Sequence, residues 1–430
     1  MLDSLNKLFQ NIDLSWIDSV AEIDNSDEFF DLITIFPNLE RIFQDAREKN
    51  REELQRTIRH IFRSYKIFFL IKNGEFSHET LSQESLIIIQ EKVIKQDSQN
   101  QLIIPILLMY HDIGRYIDNK KHPYHSYHLI SSMELLEAFE LSDMDKLLIR
   151  KIINYHLLIA TIYTGESTFY KVYSLFNDPE LRKLLSYENI INKFIDILEV
   201  FTYVDILGYY YTKIFDHYIK YYNEISSKLK IILNLWPDKE LALKKAKKYS
   251  QEWLEWRLAG ALRIFQFVET KPHLTKEFYF NKLKESIRGV GNEFINTLNW
   301  DLIKDQYLIH TYKIQMRYSL ALLMILAFGG FQRMGLKINT GISYKLILFW
   351  ILLSKEVKAR SKNNDKSPWN IFLEGMPHWS KINKSFIDSL DDETIETLIY
   401  SSNHEYNEDK EEFNLYLDFK KINRKEGIEF

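Results

Sequence analysis

The sequence predicts an all-α protein without a large sheet, and three observations carry this prediction. Only 13 of its 430 residues are glycine and 8 are proline, so few positions interrupt regular structure. Apolar residues recur at intervals of three and four, which is the period of an amphipathic helix. With 46% hydrophobic and 14% aromatic residues the chain can bury a large core, and its length favours two or three domains.

The periodic segments place helices along most of the chain. Asn38, Pro123 and Pro237 fit N-terminal caps or first turns. The predicted helices are 27–36, 51–71, 80–96, 101–113, 124–139, 143–163, 188–222, 239–268, 274–298, 302–328 and 342–360.

Three regions follow from this pattern. We predict a helical lead-in over 1–50, a central helical domain over 51–235 and a helical C-terminal domain over 236–430, because Trp236-Pro237-Asp238 forms the clearest break. The polar stretches 361–367 and 405–412 are predicted to be loop or tail.

Composition narrows the functional classes. The absence of cysteine excludes disulfides, thiolate metal sites and cysteine nucleophiles. The formal charge is −4, and basic and acidic residues are interspersed, so we expect no binding of long nucleic acid. The N-terminal residues lack a basic segment followed by an apolar run, so we expect a cytoplasmic protein.

Two apolar segments invite comparison with membrane spans. SLALLMILAFGGF (319–331) and LILFWILL (346–353) are both flanked by basic residues. Each is shorter than the roughly 20 residues that cross a bilayer. We therefore expect buried helices and no membrane partner.

The histidines are concentrated in one part of the chain. Seven of the twelve lie between His60 and His156. At the centre stands His111-Asp112, which follows the apolar run 102–108 and precedes Gly114. Adjacent side chains on a helix point about 100° apart, so a helix end at Gly114 would let both face one cation.

Further residues complete a candidate metal site. His122 precedes a proline at a predicted helix start, and His156 lies inside an apolar helix. Asp205 falls on the apolar face of another predicted helix, where an unpaired carboxylate is costly. Such a carboxylate calls for a cation or a strong hydrogen-bond donor.

The order of these residues resembles the HD superfamily of metal-dependent phosphohydrolases, whose pattern is an early His, a His-Asp pair, two later His and a final Asp. The motifs that carry the resemblance are HDIGR at 111–115, HPYHS at 122–126, YHLL at 155–158 and TYVDI at 202–206. The spacing of the last two is most similar to the HD domain of the bacterial PII uridylyltransferase/uridylyl-removing enzymes, and FPNLERIF at 36–43 resembles its lead-in. The resemblance covers residues 36–222, about half of the chain.

The resemblance implies an HD-type helical bundle over 51–235 that holds one or two divalent metal ions. Asp112 and Arg115 are implied as catalytic residues. The implied metal ligands are His60, His111, Asp112, His122, His156 and Asp205.

The chain also departs from the family pattern. Arg115 stands where the family has lysine, which keeps the charge but replaces a point donor with a planar fork. No Gly-Ser followed by paired aspartates precedes this region, so only the removal of a nucleotide is supported.

The first histidine of the pattern has two candidates. His60 lies in a convincing helix 51 residues before His111 and is favoured. His78 lies 33 residues before His111, at the commoner spacing, but in a predicted loop or helix start.

Structural roles compete with each functional one. His111 could hydrogen-bond Asp112, His156 could be a satisfied core histidine, and Asp205 could pair with arginine or lysine. His125 and His128 fit phosphate donors or solvent-facing residues equally well.

Imidazole and carboxylate ligands without sulfur suit Mn²⁺, Fe²⁺, Mg²⁺, Co²⁺ or Zn²⁺. We expect hydrolysis of a phosphomonoester or phosphodiester, on a nucleotide or a nucleotidylated group, by a metal-activated water. Arg115, with Lys120 or Lys121, could hold a phosphate oxygen. The alternative is a ligand-sensing or scaffold module without turnover.

The C-terminal half has no recognised motif. Residues 238–430 hold six of the eight tryptophans, a pattern typical of helix packing. Substrate selection, homo-oligomerisation and binding of a protein partner all remain open for it.

Overall fold

A computed structural model describes residues 1–210, 214–265, 311–316, 344–361, 366–375, 390–420 and 422. In these ranges the chain is predominantly α-helical, so the predicted fold class is confirmed. The chain divides into two compact units. Unit 1 comprises residues 1–160 and 180–230, and unit 2 comprises residues 161–179 and 231–430.

Helices account for most of the described chain. In chain order they are α1 (Leu2–Asn11), α2 (Leu14–Ser19), α3 (Asp27–Ile35), α4 (Asn38–Lys72), α5 (Gln83–Gln99), α6 (Ile103–Tyr110), α7 (His122–Ser132), α8 (Asp143–Tyr155), α9 (Leu158–Thr164), α10 (Val172–Asn177), α11 (Pro179–Leu185), α12 (Ile190–Leu207), α13 (Asp216–Asn234), α14 (Lys239–Phe265), α15 (Tyr344–Arg360) and α16 (Asp392–Tyr400). Short 3₁₀ helices cover Ile23–Asn25, Leu135–Ala138 and Phe169–Lys171.

The long helix α4 is interrupted at Asn50, whose backbone is extended (φ −159°, ψ 78°). The Asn50 side chain accepts a hydrogen bond from the backbone N–H of Glu53 at 3.2 Å, as an N-cap residue does. A new helical segment therefore begins where the sequence predicts one, at residue 51.

Helix α12 is the centre of unit 1. Nearly all of its side chains are buried, as expected for a helix that is apolar on all sides. It packs against α4, α5, α6 and α8. Its last turn, which carries Asp205, is thus enclosed by the other helices of the bundle.

Unit 2 contains a four-stranded sheet in the order β1-β2-β4-β3. The strands are β1 (Ile314–Met316), β2 (Trp369–Glu374), β3 (Asn403–Asn407) and β4 (Glu412–Asp418). Strands β1, β2 and β4 run parallel, and β3 runs antiparallel to β4. The ring of Trp369 is buried and stacks on Phe413 at a centroid distance of 4.4 Å.

This sheet corrects three sequence predictions. Unit 2 is not wholly helical, and β1 lies inside the predicted helix 302–328. In the predicted loop 405–412, residues 408–411 form a turn, but 405–407 belong to β3 and residue 412 begins β4. The physical reason is the alternation of buried residues at Trp369, Ile371 and Leu373 in β2. Burial of every second residue indicates a strand, even in a chain whose few glycines and prolines favour helix.

Several predicted helices are divided in the structure. Predicted helix 101–113 ends at Tyr110, 124–139 ends at Ser132 before a 3₁₀ turn, 143–163 is interrupted between Tyr155 and Leu158, and 188–222 stops at Leu207. The candidate ligands lie near three of these interruptions.

Other predictions concern residues that the structure does not describe. The predicted helix 274–298, most of 302–328 and the apolar segment 319–331 lie outside the described residues. Across the described ranges, none of the helices has the length and apolar character needed to cross a membrane.

A buried carboxylate ties the N-terminal segment to α4. Asp24 is fully buried and accepts hydrogen bonds from Arg51 Nε and Gln55 Nε2, each at 3.1 Å. Arg47 Nε lies 3.2 Å from the same carboxylate. Burial raises the pKa of Asp24, but the hydrogen bond and charge of Arg51, together with the charge of Arg47, outweigh burial and lower the pKa.

We expect Asp24→Ala to destabilise the protein by about 1–3 kcal/mol at neutral pH, because it leaves three donors without their acceptor. The loss should shrink as the pH falls below about 4, since a carboxyl with a lowered pKa stabilises only while it is ionised. Thermal unfolding followed by circular dichroism measures both effects. Glu52→Ala, which removes an exposed ion pair with Arg56, should cost less than about 1 kcal/mol, and an equal loss in both variants would contradict this account.

Candidate metal centre

The structure brings together all six side chains that the sequence named as candidate ligands. They come from five different parts of unit 1, and all are buried. The cluster consists of His60 from α4, His111 and Asp112 from the turn after α6, His122 at the start of α7, His156 from the break between α8 and α9, and Asp205 from the last turn of α12.

The first group of three contains His60, His111 and Asp205. Asp205 Oδ1 lies 2.8 Å from His60 Nε2 and 3.2 Å from His111 Nε2. The ligand atoms of this group are close enough to one another to hold one metal ion. The ion-pair partners of Asp205 are thus histidines, and no lysine or arginine among the described residues pairs with it.

The second group contains Asp112, His122 and His156. Asp112 Oδ1 lies 3.1 Å from His122 Nε2 and 3.9 Å from His156 Nε2. The two Nε2 atoms lie 3.2 Å apart. This group could also hold a metal ion.

Asp112 lies between the two groups. Its Oδ1 faces His122 and His156, whereas its Oδ2 lies 3.9 Å from His60 Nε2. The distance from Asp112 Oδ1 to His111 Nε2 is 3.7 Å, which is too long for a hydrogen bond. His111 therefore does not form a hydrogen bond to Asp112, which was its alternative structural role.

Backbone carbonyls hold three of the four imidazoles at Nδ1. His111 Nδ1 lies 3.2 Å from the carbonyl oxygens of both Leu107 and Leu108. His122 Nδ1 lies 2.8 Å from Asn119 O, and His156 Nδ1 lies 2.7 Å from Ile153 O. A carbonyl accepts only from N–H, so these contacts place the proton on Nδ1 and leave Nε2 with a free lone pair. Metal-binding histidines are typically held in this way.

The atoms that face one another in the cluster fit a cation. Within the part of the chain that the structure describes, His111 Nε2 and Asp112 Oδ1 are buried without a hydrogen-bond partner. Moreover, the Nδ1 protons of His122 and His156 leave two Nε2 lone pairs facing each other across 3.2 Å. Converging lone pairs repel one another unless a proton or a metal ion lies between them.

Electrostatics favour ionised carboxylates in the cluster. Burial raises the pKa of Asp112, but the charges of His111, His122 and Arg115 outweigh it and hold the pKa well below its usual value. Burial also raises the pKa of Asp205, and the neighbouring His111 and His60 reverse that effect and lower it. Both groups therefore present anionic oxygen to the centre of the cluster.

The pKa values of two of the histidines shift in opposite directions. Burial, with the neighbouring histidines, lowers the pKa of His156 to about 3. Burial also opposes protonation of His111, but Asp112 and Asp205 outweigh it and raise its pKa. The carboxylates thus attract positive charge to the cluster, and a divalent cation can take the place of that proton.

Arg115 lies beside Asp112. Its Nη1 donates hydrogen bonds to Asp112 Oδ2 at 3.2 Å and to the Tyr209 hydroxyl at 3.1 Å, and its Nε lies 3.5 Å from Glu53 Oε2. Its Nη2 makes no hydrogen bond within the described part of the chain. Lys120 and Lys121, the other phosphate-binding candidates, are exposed.

Sequence reasoning missed two residues beside the cluster, Glu53 and Tyr209. Glu53 is buried and lies on α4 seven residues, or two helical turns, before His60. This spacing puts both side chains on one face of the helix and was visible in the sequence. Tyr209 follows the end of α12 and stacks on the His60 ring at a centroid distance of 4.0 Å. No local pattern identifies it, because that contact joins residues far apart in the chain.

The other histidines that sequence analysis considered lie outside the two groups. His78 Nδ1 lies 3.1 Å from Thr80 Oγ1 and 3.4 Å from Thr80 N. His125 is half-buried, and His128 is exposed with its ring against Tyr124. Of the two candidates for the first histidine, only His60 reaches the cluster.

Comparison of the chain with known protein families, curated proteins and solved structures found no match. The resemblance to HD phosphohydrolases therefore stays a prediction.

Gly114 allows the His111-Asp112 turn to lie against α7. Its N–H donates to Ser126 Oγ at 2.9 Å. A Cβ at this position would lie 2.4 Å from Ser126 N and 2.6 Å from His125 Cβ. Only glycine allows the two segments to approach so closely, and this approach keeps His122 near Asp112.

We expect Gly114→Ala to lower stability by about 1–3 kcal/mol, because the added methyl group must push α7 away from the turn. Thermal unfolding measures the loss. Lys120→Ala, in the same loop but exposed, should stay within about 0.5 kcal/mol of the wild type. Equal stability of Gly114→Ala and the wild type would mean that the turn is not packed as described.

Proposed function

We propose that the protein is a metal-dependent phosphohydrolase of the HD type, which hydrolyses a phosphomonoester or phosphodiester on a nucleotide or a nucleotidylated group. The observation that carries the proposal is the pair of buried His/Asp groups with Asp112 between them. Its support from the sequence is the ordered set of motifs that resembles the HD superfamily.

The donor atoms fit divalent cations. Four imidazole nitrogens and two carboxylates, without sulfur, suit Mn²⁺, Fe²⁺, Co²⁺ and Zn²⁺, and the carboxylates suit Mg²⁺. When bound as a pair, such ions supply an acidified water and positive charge for the attacking and leaving oxygens of a phosphoester. The carbonyl contacts at Nδ1 support this use of the histidines, because they keep each Nε2 available.

The residues of the chain have separate roles in this proposal. Asp112 offers one oxygen to each group, and Arg115 Nη1 holds Oδ2 of that carboxylate in place. Arg115 Nη2, which has no partner in the described residues, is the donor for a non-bridging phosphate oxygen. No side chain is required as a covalent nucleophile.

The size and charge of the substrate follow from two observations. The ligand side chains are almost wholly buried, so only a small terminal group or an exposed phosphoester can reach them. The chain has a formal charge of −4, which disfavours the binding of long polyanions. A nucleotide or a nucleotidylated group satisfies both conditions.

We expect the purified protein to bind one to two equivalents of Mn²⁺ or Co²⁺, as measured by elemental analysis after loading and desalting. His60→Ala should lower metal affinity by more than the roughly 10–100-fold that the loss of an outer contact costs, because it removes a ligand. His78→Ala is the matched control and should bind like the wild type. The opposite result would reassign the first ligand to His78, and a wild type that binds no metal would overturn the proposal.

Activity provides a separate prediction. The Mn²⁺-loaded protein should hydrolyse p-nitrophenyl phosphate or bis-p-nitrophenyl phosphate, and Asp112→Asn should abolish turnover. Arg115→Lys should lower kcat/KM by about 10–100-fold, because lysine cannot hold Asp112 and a phosphate oxygen together as the guanidinium fork does. His128→Ala, on the exposed side of α7, is the control. Bound metal without hydrolysis of phosphoesters or nucleotides would favour the ligand-sensing alternative.

A further inference from the structure

His60 is held differently from the other three histidines of the cluster. The Nδ1 atoms of His111, His122 and His156 each contact a backbone carbonyl. His60 Nδ1 is buried and has no hydrogen-bond partner among the described residues. Its imidazole therefore lacks the contact that fixes the ring plane of the others.

The ring of Tyr209 lies against the face of the His60 imidazole. It stacks on the His60 imidazole with a centroid distance of 4.0 Å and an interplanar angle of 26°. Its hydroxyl accepts a hydrogen bond from Arg115 Nη1 at 3.1 Å. Arg115 thus holds the hydroxyl of Tyr209, while the face of the Tyr209 ring lies against His60.

Gly208 explains how the chain brings Tyr209 so close to α4. Helix α12 ends at Leu207, and the N–H of Gly208 still donates to Val204 O at 2.9 Å. A Cβ on Gly208 would lie 2.0 Å from Ser64 Oγ and 3.0 Å from His60 Cε1. The missing side chain lets the end of α12 lie directly against the turn of α4 that carries His60.

We propose that Tyr209 is a positioning residue of the metal centre, whose ring orients the imidazole of His60 in place of a hydrogen bond from Nδ1 to a backbone carbonyl. This inference rests on the proposed function, because it requires His60 to be a metal ligand. It assigns to a stacked ring the role that backbone carbonyls have for the other three histidines. Loss of the ring should then weaken metal binding at the group formed by His60, His111 and Asp205.

The test separates the ring of Tyr209 from its hydroxyl. Tyr209→Phe keeps the ring, Tyr209→Leu removes it, and Tyr210→Leu is the matched control at the exposed neighbouring tyrosine. Co²⁺ affinity is measured on the full-length protein by competition with a chelator, and the visible absorption of bound Co²⁺ reports the ligand geometry. Unfolding of the metal-free variants shows whether each one folds.

We expect Tyr209→Leu to bind Co²⁺ about 10–100-fold more weakly than the wild type and to change the absorption spectrum, as the loss of an orienting contact does. Tyr209→Phe and Tyr210→Leu should match the wild type in both measurements. Rescue by phenylalanine distinguishes orientation by the ring from an effect of the hydroxyl. If Tyr209→Leu does not fold, Tyr209→Met replaces it, because methionine adapts to irregular space.

The outcomes distinguish this inference from the proposed function. Wild-type protein that binds no Co²⁺ overturns both. Wild-type protein that binds Co²⁺, with Tyr209→Leu or its methionine substitute binding equally well, overturns the inference alone. A loss in Tyr209→Phe as large as that in Tyr209→Leu also overturns it, because the hydroxyl would then be the essential group.

Discussion

The buried carboxylates of Asp112 and Asp205 are the constraint on which the rest of unit 1 depends. An ionised carboxylate inside an apolar bundle is tolerated only with compensating charge and hydrogen bonds. Here four imidazoles and Arg115 surround the two groups. His111, His122 and Arg115 keep the pKa of Asp112 low, and His111 and His60 keep that of Asp205 low. The bundle is therefore arranged around a centre that attracts a cation, although its outer helices are ordinary amphipathic elements.

Interruptions of helices create this centre. His111 and Asp112 follow the end of α6, and His156 lies between α8 and α9. A helix that continued through either position would bond its carbonyls internally and point neighbouring side chains in different directions. Because the helices stop, carbonyls such as Ile153 O are free to accept a hydrogen bond from an imidazole N–H. The same breaks that shorten the predicted helices thus orient the proposed ligands.

Arg115, Tyr209 and Glu53 lie beside the six-residue cluster and support it. Arg115 links the Asp112 carboxylate to the hydroxyl of Tyr209, and Glu53 faces the guanidinium from α4. These contacts join the ends of α6 and α12 to the middle of α4. These residues contact Asp112 through a polar group and His60 through an aromatic ring.

The sequence by itself determined the helical class and the identity of five of the six clustered side chains, and it favoured His60 over His78 for the sixth. It could do so because the helical period is local, and because a histidine or aspartate in an apolar helix is conspicuous. It also contained the alternation at Trp369, Ile371 and Leu373 that marks a strand, a signal outweighed by the helical character of the chain. Only the tertiary structure placed His60 in the cluster and His78 outside it, brought Glu53 and Tyr209 beside the cluster, and paired strands β2 and β4 across more than forty residues. These outcomes depend on which surfaces of distant segments pack together, and that packing leaves no periodic signal in either segment alone.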